Sequence, residues 1–401
     1  MLRQVIFKNI LSFGEQVSFD FSKNHKTMIL GPNASGKSNV IRGAELLTYL
    51  IANDWNLHIP MFEQLNNFKP NTNCDSDFSE IQCEIEVEKN IYTIYFKIEL
   101  AKNIKITSEE LYLNNKKILS CNRYDDNVDI TGEFSEIELE RIMTYSLSDI
   151  SLISLINEND IVIKDEILKN ALKKIYEFFQ HNIIFAEMHI GESRAATILA
   201  ENHEIKKKVL SFLKSCNIQI DDITFNDKSF EYIEAYSKGL NDDLELGKIE
   251  KGEHTRIIKN LEKIKIYNFD KIKKNNKELY YSTESKGTKN LITLLTTLYA
   301  KEGAVIFFDE LESSFHELLC IKILKFINEQ KINQIIFTSH LIEIMDNRWF
   351  DKNEIFLLYN ENEMTNVIQL DEYKELRSDE KHSWKNWYRT RKISGYPDFE
   401  V

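Results

Sequence analysis

The sequence lacks several features that would assign it to familiar classes. Its five cysteines are scattered and no two form a C-x-x-C pair, so neither a zinc site of paired cysteines nor a disulfide framework is expected. No run approaches the roughly 18 apolar residues that span a bilayer, and the first residues do not resemble a signal peptide. We therefore expect a soluble, cytoplasmic protein. The cysteines are Cys74, Cys83, Cys121, Cys216 and Cys320.

Sustained heptads and internal repeats are also missing, which argues against a long coiled coil. The net charge of −13 argues against binding of nucleic acid over the whole surface, although a local basic patch is compatible with it. Lysines are dense over residues 251–277. Such a run is more typical of a solvated helix face, but it is the best candidate for a surface that binds nucleic acid or a partner. Its lysines are Lys251, Lys259, Lys263, Lys265, Lys271, Lys273, Lys274 and Lys277.

The chain does contain a phosphate-binding loop. An apolar stretch at residues 27–30 leads into G-x-x-x-x-G-K-S and then into a segment with helical spacing. The glycines allow a tight turn, the helix adds its positive amino end, Lys37 can reach terminal phosphates, and Ser38 offers a hard oxygen to Mg²⁺. We therefore predict that the chain binds a nucleoside triphosphate. The predicted binding residues of this loop are Gly31, Asn33, Ala34, Ser35, Gly36, Lys37, Ser38 and Asn39.

A second apolar strand, at residues 305–308, ends in Asp309 and Glu310. In an open α/β sheet the carboxyl ends of the strands face the ligand, so Asp309 would hold Mg²⁺ through water or Ser38. Glu310 would orient and deprotonate the attacking water. A strand can also end in acidic residues that only face solvent. The phosphate loop earlier in the chain nevertheless favours a role for Asp309 and Glu310 in binding and hydrolysing the nucleotide.

Another apolar strand, at residues 334–337, leads into His340. A lone histidine at a strand end is often incidental. As the next strand of the same sheet, however, this segment would bring a neutral imidazole to the γ-phosphate or the attacking water. We therefore predict His340 as a catalytic residue together with Glu310 and Lys37.

An S-x-G-T sequence at Ser285 and Gly287 precedes a helix that has four leucines on one face. Alone, this sequence also describes an ordinary helix cap. Because it stands just ahead of the acid strand, we interpret it as a second anion-binding helix end. It would serve the nucleotide of this chain or that of a second chain. The leucines are Leu291, Leu294, Leu295 and Leu298.

Alternating apolar residues predict strands in the amino-terminal part. One pair, at residues 5–7 and 17–21, is joined by a turn at 9–14. A hairpin turns at residues 88–90, and a third strand follows near 111–113.

The middle of the chain has a helical pattern at residues 137–147, 163–179 and 204–213. We therefore predict an α/β fold with an antiparallel β subdomain at the amino terminus and a mainly helical insertion. The predicted domains are residues 1–130 with the phosphate loop, 131–278 as the insertion or lid, and 279–401 with the remaining motifs.

The order of these motifs resembles the ATP-binding-cassette class and, within it, the SMC-like ATPases. Residues 285–288 resemble the cassette signature, and 309–316 resemble the Walker B strand with its D-loop. The carboxyl-terminal segment from residue 337 to 397 resembles the bacterial AAA15-type ATPases. That group includes the ATPases of AbiL-type abortive-infection systems and of PARIS anti-phage systems. The resemblance covers residues 1–100 and 280–401.

This resemblance implies an ATP sandwich of two heads that uses ATP and Mg²⁺. Ser285 and Gly287 of one chain would contact the γ-phosphate held by Lys37 of the other, and larger homo-oligomers could form. The usual glutamine between the two halves could be Gln64 or Gln82, and both stay open. The signature departs from that of transporters, so no membrane partner is implied.

Three functions are compatible with these motifs. The leading hypothesis is a regulatory ATPase of an anti-phage defence module, which controls a separate nuclease or toxin according to nucleotide state. The alternative is a DNA-repair or chromosome-maintenance ATPase that binds DNA through the lysine run. An OLD-type nuclease is disfavoured, because too few residues follow His340 for a separate cleavage domain.

Overall fold

A computed structural model gives the conformation of most of the chain, which divides into two compact units. The first unit comprises Met1–Phe185 and Gly303–Val401, and the second comprises Ala186–Glu302. The residues that the structure describes are 1–52, 70–71, 74, 76–100, 104–124, 127–131, 134, 138, 142, 151–158, 161, 163–186, 191–245, 265–330, 333–346, 348–374 and 384–393.

The described elements are numbered here in chain order. The strands are β1 (Leu2–Lys8), β2 (Val17–Asp20), β3 (Lys26–Leu30), β4 (Phe78–Val87), β5 (Asn90–Leu100), β6 (Ile104–Leu113), β7 (Lys116–Tyr124), β8 (Asn127–Thr131), β9 (Ile183–Phe185), β10 (Asp222–Asp227), β11 (Tyr267–Lys274), β12 (Lys277–Tyr280), β13 (Val305–Phe308), β14 (Gln334–Ser339), β15 (Ile355–Glu361) and β16 (Met364–Gln369). The helices are α1 (Lys37–Ala52), α2 (Leu152–Glu158), α3 (Glu166–Asn182), α4 (Gly191–Glu201), α5 (His203–Ser215), α6 (Ser229–Glu245), α7 (Lys286–Ala300), α8 (Glu317–Gln330) and α9 (Trp384–Arg389). None of these helices is both long and apolar enough to cross a bilayer.

An antiparallel sheet of seven strands, in the order β2-β1-β4-β5-β6-β7-β8, belongs to the first unit. The predicted strand pair and the predicted hairpin are confirmed, and Glu88 and Lys89 form the turn with φ of 51° and 68°. The predicted third strand is β6. The sheet continues into β7 and β8, which the sequence pattern did not predict.

The second sheet of this unit has the order β16-β15-β3-β14-β13-β9. All neighbours are parallel except β15 and β16, which form an antiparallel hairpin. Strand β14 therefore lies between β3, which leads into the phosphate loop, and β13, which leads into Asp309. Residues of β3, β13 and β14 are buried throughout, as the continuous apolar runs predict for parallel strands. The three predicted motifs consequently leave the sheet at the same edge.

The core of the first unit forms between α1 and the seven-stranded sheet. Helix α1 packs on α2 and α3, and all four residues predicted to face inward are buried. Phe7 stacks on Phe13 with ring centroids 5.2 Å apart, and Phe19 packs on Phe356 of β15 at 5.3 Å. The aromatic rings thus connect both sheets. The inward-facing residues of α1 are Val40, Ala44, Leu47 and Ile51.

One buried side chain also joins the two sheets directly. The Gln334 amide at the start of β14 accepts the Leu2 N–H at 2.9 Å and donates to the Leu2 carbonyl at 2.8 Å. This pattern reproduces the two hydrogen bonds of a strand pair. It fixes β1 against the strand that leads to His340.

The second unit contains helices α4 to α7 and an antiparallel sheet in the order β10-β11-β12. Helix α7 packs on α4 and α5 through its predicted leucine face, which is buried.

The predicted helices at residues 163–179 and 204–213 are confirmed as α3 and α5. The predicted helix at 137–147 lies outside the described residues except for positions 138 and 142, which are helical.

The middle of the chain also contains strands that the helical interpretation overlooked. Strand β9 joins the edge of the six-stranded sheet, and β10 to β12 form a sheet of their own. Within the lysine run, residues 251–264 lie outside the described part. Lys271 and Lys274 lie on β11 and Lys277 on β12, so the helix expected there is wrong for these residues. The three-domain division stays a prediction.

Candidate nucleotide-binding site

The loop between β3 and α1 requires its two glycines. Ala34 and Gly36 adopt positive φ of 61° and 94°. A Cβ at Gly36 would lie 2.2 Å from Thr365 Oγ1, and a Cβ at Gly31 would lie 2.4 Å from the Leu358 carbonyl oxygen. Because strands β15 and β16 pack this closely behind the loop, only glycine allows its backbone to turn here.

Two residues that the sequence analysis did not single out support the loop from behind. Thr365 of β16 donates from its hydroxyl to the Ser35 carbonyl at 2.9 Å and lies 2.7 Å from Ser12 Oγ. Ser12 in turn accepts from the Asn39 side chain at 2.7 Å. Since these residues come from distant parts of the chain, no local pattern could have indicated them.

Lys37 is buried at the start of α1. Its ammonium group donates to the carbonyl oxygens of Gly31 at 2.9 Å and Pro32 at 2.8 Å. Burial lowers the pKa of Lys37 to about 8, although the negative charges of Glu310, Asp309 and then Glu312 oppose this shift. The first turn of α1 has no acidic residue, so the positive end of this helix is not neutralised locally.

Asp309 and Glu310 directly follow β13 and are exposed. Glu310 adopts the left-handed conformation with φ of 50° and ψ of 68°, which is unusual for a residue that is not glycine. Its Oε1 lies 3.4 Å from His340 Nε2. The structure therefore brings the predicted acid and the predicted histidine into direct contact. Glu310 is also near enough to Lys37 for its negative charge to oppose the lowering of the lysine pKa.

Glu312, which lies one residue beyond Leu311, was not predicted as a site residue. One of its oxygens accepts the backbone N–H of His340. Its other oxygen, Oε2, is buried and has no hydrogen-bond partner among the described residues. Glu312 thus holds the end of β14 beside the end of β13, and its charge also reaches Lys37.

The predicted signature residues lie in the second unit. Ser285 is exposed and caps α7, because its hydroxyl accepts the Thr288 N–H at 3.2 Å. The preceding Glu284 pairs with Lys274 at 2.6 Å. Gly287 lies in the first turn of α7. In the isolated unit this segment is an ordinary helix cap with an exposed amino end.

The remaining predicted positions are distributed as follows. In the loop, Asn33 is exposed and Ser38 is half-buried at the start of α1. Of the two candidate glutamines, Gln82 lies within β4 and Gln64 lies outside the described residues.

The donors at the edge of the sheet fit a magnesium ion that is shared with a phosphate. The described residues include no group of three His, Cys, Asp or Glu side chains that could enclose a metal. Mg²⁺ in nucleotide sites takes only one or two protein oxygens and completes its shell with phosphate and water. The Asp309 carboxylate and the Ser38 hydroxyl are oxygen donors of this kind, so the residues present fit the ion.

A phosphate loop at the end of a central parallel strand, with acids on a strand of the same sheet, defines a P-loop NTPase. The chain belongs to the family described as "AAA domain, putative AbiEii toxin, Type IV TA system", which matches residues 26–346. No curated protein matches the chain in sequence.

Solved structures that are similar to the chain include three SMC heads. The SMC head domain from Thermotoga maritima is 13% identical with a TM-score of 0.43, over 92% of this chain and 98% of that one. The Smc head of Pyrococcus furiosus, bound to the C-terminal domain of ScpA, is 14% identical with a TM-score of 0.43, over 93% and 98%. An SmcHead bound to the C-winged helix domain of ScpA is 12% identical with a TM-score of 0.46, over 94% and 99%.

The predicted fold class is confirmed. The chain has the α/β fold of a P-loop NTPase, with an antiparallel β subdomain near its amino terminus and a mainly helical insertion.

Proposed function

We propose that the chain is an ATPase that regulates a bacterial anti-phage defence module by holding or releasing a separate toxic effector. The ATPase part of this proposal rests on the contact between Glu310 and His340. This contact lies at the edge of the sheet where β3 ends and the phosphate loop begins. A residue that positions the attacking water and a phosphate-binding lysine are recurring parts of sites that transfer phosphoryl groups to water. Glu310 with its neighbour His340 would supply the first, and Lys37 the second.

The proposed reaction is the hydrolysis of ATP to ADP and phosphate. A water oxygen attacks the γ-phosphorus, the bond to the β–γ bridging oxygen breaks, and the Glu310 carboxylate takes the proton of the water. Lys37 stabilises the charge that develops on the phosphate oxygens. Asp309 and Ser38 would hold Mg²⁺, which neutralises phosphate charge when it is bound. His340, which contacts Glu310, would orient the water or the γ-phosphate.

The exposed amino end of α7 supports a sandwich of two heads. Ser285 and Gly287 of one chain would close over the γ-phosphate bound by the other, as a helix amino end does for an anion. Because each bound ATP would contact both chains, the nucleotide state would control pairing. Pairing of the chains would in turn control access to the surface that the effector binds.

The binding of ATP should depend on pH because of Lys37. The negative phosphates of ATP favour the charged form of Lys37. Above about pH 8 much of the free protein has a neutral Lys37, so the protein must take up a proton when it binds ATP. We expect the affinity for ATP to be nearly constant below pH 7 and to fall by up to about tenfold per pH unit above pH 8. Calorimetric titrations in buffers of different ionisation enthalpy would measure both the affinity and the proton uptake. A constant affinity from pH 7 to pH 9.5 would contradict this role of Lys37.

The family description names a putative toxin of a type IV toxin–antitoxin system, which supports a role in a bacterial system that pairs a toxin with its regulator. The test is to express the chain with its neighbouring genes in a bacterial host and to challenge the cells with phages. We expect protection by the complete locus, and loss of protection with Lys37→Ala or after deletion of the effector gene.

The proposal would be wrong if no neighbouring gene encoded a nuclease or toxin and if loss of the locus left phage sensitivity unchanged. In that case ATPase stimulation by DNA with a steep salt dependence would indicate the DNA-maintenance alternative. Two of the five described lysines of the run, Lys271 and Lys274, pair with Glu278 and Glu284, which lowers the net positive charge available to DNA there.

A further inference from the structure

One buried hydroxyl contacts both acids of the site. Thr338, the second-last residue of β14, is completely buried. Its Oγ1 donates to Asp309 Oδ1 at 2.5 Å and accepts the backbone N–H of Glu310 at 2.7 Å. A hydroxyl has one hydrogen to donate and two lone pairs to accept, so both bonds form at once without conflict.

These two bonds constrain groups that would otherwise be free to turn. Asp309 is exposed, and a side chain at a strand end in water can occupy several rotamers. A hydrogen bond from a neutral hydroxyl to a carboxylate is short and strong, and it selects one orientation of the carboxylate plane. The N–H bond holds Glu310 at the residue where the backbone turns into its left-handed conformation, which is unfavourable for a residue other than glycine.

Strand β3 provides an internal comparison. Thr27 is also completely buried and lies one strand away from Thr338. Its hydroxyl, however, has no hydrogen-bond partner among the described residues. Thr338 and Thr27 are thus two buried threonines on neighbouring strands, and only the first has its hydroxyl bonded to the acids of the site. Comparing them separates the effect of the hydroxyl bond from that of the residue type.

We propose that Thr338 is a positioning residue that orients the Asp309 carboxylate toward the metal and fixes the backbone from which Glu310 acts. This inference rests on the proposed function, since it assumes that Asp309 holds Mg²⁺ beside a bound nucleotide. Thr338 is completely buried, so it would act through its bonds to the two acids rather than by touching a ligand itself. Outer residues that orient metal ligands typically contribute 10- to 100-fold to metal affinity or activity.

The experiment compares Thr338→Val, Thr338→Ser and Thr27→Val. Valine keeps the shape of threonine but can neither donate to Asp309 nor accept from Glu310, whereas serine keeps both bonds. The first measurement is the Mg²⁺ concentration at which binding of a fluorescent ATP analogue is half-maximal, with EDTA as the metal-free reference. The second is kcat and KM for ATP hydrolysis.

We expect Thr338→Val to raise the required Mg²⁺ concentration by about 10- to 100-fold and to lower kcat to a similar extent. Binding in EDTA should not change, because the phosphate loop is untouched. Thr338→Ser should stay within about threefold of the wild type in both measurements, a margin well inside the effect of losing the hydroxyl. Thr27→Val should match the wild type, since it removes only an unsatisfied buried hydroxyl.

The inference is overturned if Thr338→Val requires the same Mg²⁺ concentration as the wild type, or if nucleotide binding by the wild type does not respond to Mg²⁺. Should Thr338→Val fail to fold, Thr338→Ala removes the same two bonds and undergoes the same titration. Failure of the proposed function has a different signature. A wild-type chain that binds Mg²⁺ and ATP but does not hydrolyse ATP would refute the ATPase proposal, while the binding titration would still decide the role of Thr338.

Discussion

Replacing Lys37 with alanine is expected to abolish useful binding of ATP. The ammonium group is the one positive side-chain charge of the phosphate loop, and it is buried beside the carbonyl oxygens of Gly31 and Pro32. Loss of one partner from a buried charged pair costs about 3–5 kcal/mol, which corresponds to a dissociation constant raised by roughly 10² to 4 × 10³-fold. Isothermal titration with ATP and Mg²⁺ would measure this change.

Lys23→Ala is the matched control for this prediction. Lys23 is exposed and lies ahead of β3, so its loss removes the same charge at a distance from the loop. Thermal unfolding of both variants would show whether the chain remains folded. An unchanged affinity of folded Lys37→Ala for ATP would refute the assignment of the phosphate loop.

Replacing Glu310 with glutamine is expected to stop hydrolysis and leave ATP bound. Glutamine has the shape of glutamate and still fits beside His340, but it cannot take a proton from water. Loss of a general base typically lowers kcat by about 10²–10⁴-fold. The affinity for ATP should be retained, because Lys37 and the loop are intact. Single-turnover assays of ATP hydrolysis would measure the rate, with Glu361→Gln, an exposed glutamate at the end of β15, as the control.

The same variant tests the sandwich. We expect Glu310→Gln to form a stable pair of chains in ATP and Mg²⁺, measured as molar mass by light scattering. Adding Ser285→Arg should prevent pairing without loss of ATP binding, because a long charged side chain would block the exposed end of α7. Ser282→Arg, also exposed and three residues earlier, should leave pairing intact. Hydrolysis by Glu310→Gln at the wild-type rate, or pairing despite Ser285→Arg, would contradict the respective assignment.

The sequence predicted the parts of the fold that local patterns encode. Continuous apolar runs predicted the buried parallel strands β3, β13 and β14, and helical spacing predicted the inner face of α1. The hairpin at Glu88 could be predicted because the alternating apolar residues change there from odd-numbered to even-numbered positions. Such patterns depend only on residues that are neighbours in the chain, so they can be recognised without knowledge of the tertiary structure.

Two hairpins had a local signal that was overlooked. Asn114-Asn115 and Asn275-Asn276 connect β6 to β7 and β11 to β12, and all four asparagines adopt positive φ. Asparagine tolerates this conformation better than most residues, so a pair of asparagines between short apolar runs indicates a two-residue turn. The density of lysines around residue 271 favoured a helical interpretation instead.

Other parts of the site could not be predicted from local patterns. Thr365, Thr338 and Glu312 reach the motifs through hydrogen bonds that join separate strands. Their sequence surroundings are those of ordinary strand and turn residues. Only the order of strands in the sheet brings them next to the phosphate loop, Asp309 and His340.

Strand β9 limits how the molecule could be shortened. Its residues Ile183 to Phe185 pair in parallel with Val305 to Phe307, so the segment before the second unit completes the sheet that carries Asp309. A deletion of the predicted insertion, residues 131–278, would remove this strand. Strand β13 would then become a bare, wholly apolar edge, which is the kind of surface on which protein chains aggregate. A minimal fragment that keeps the phosphate loop and the acid strand should therefore retain residues up to Phe185 and be joined at Gly303.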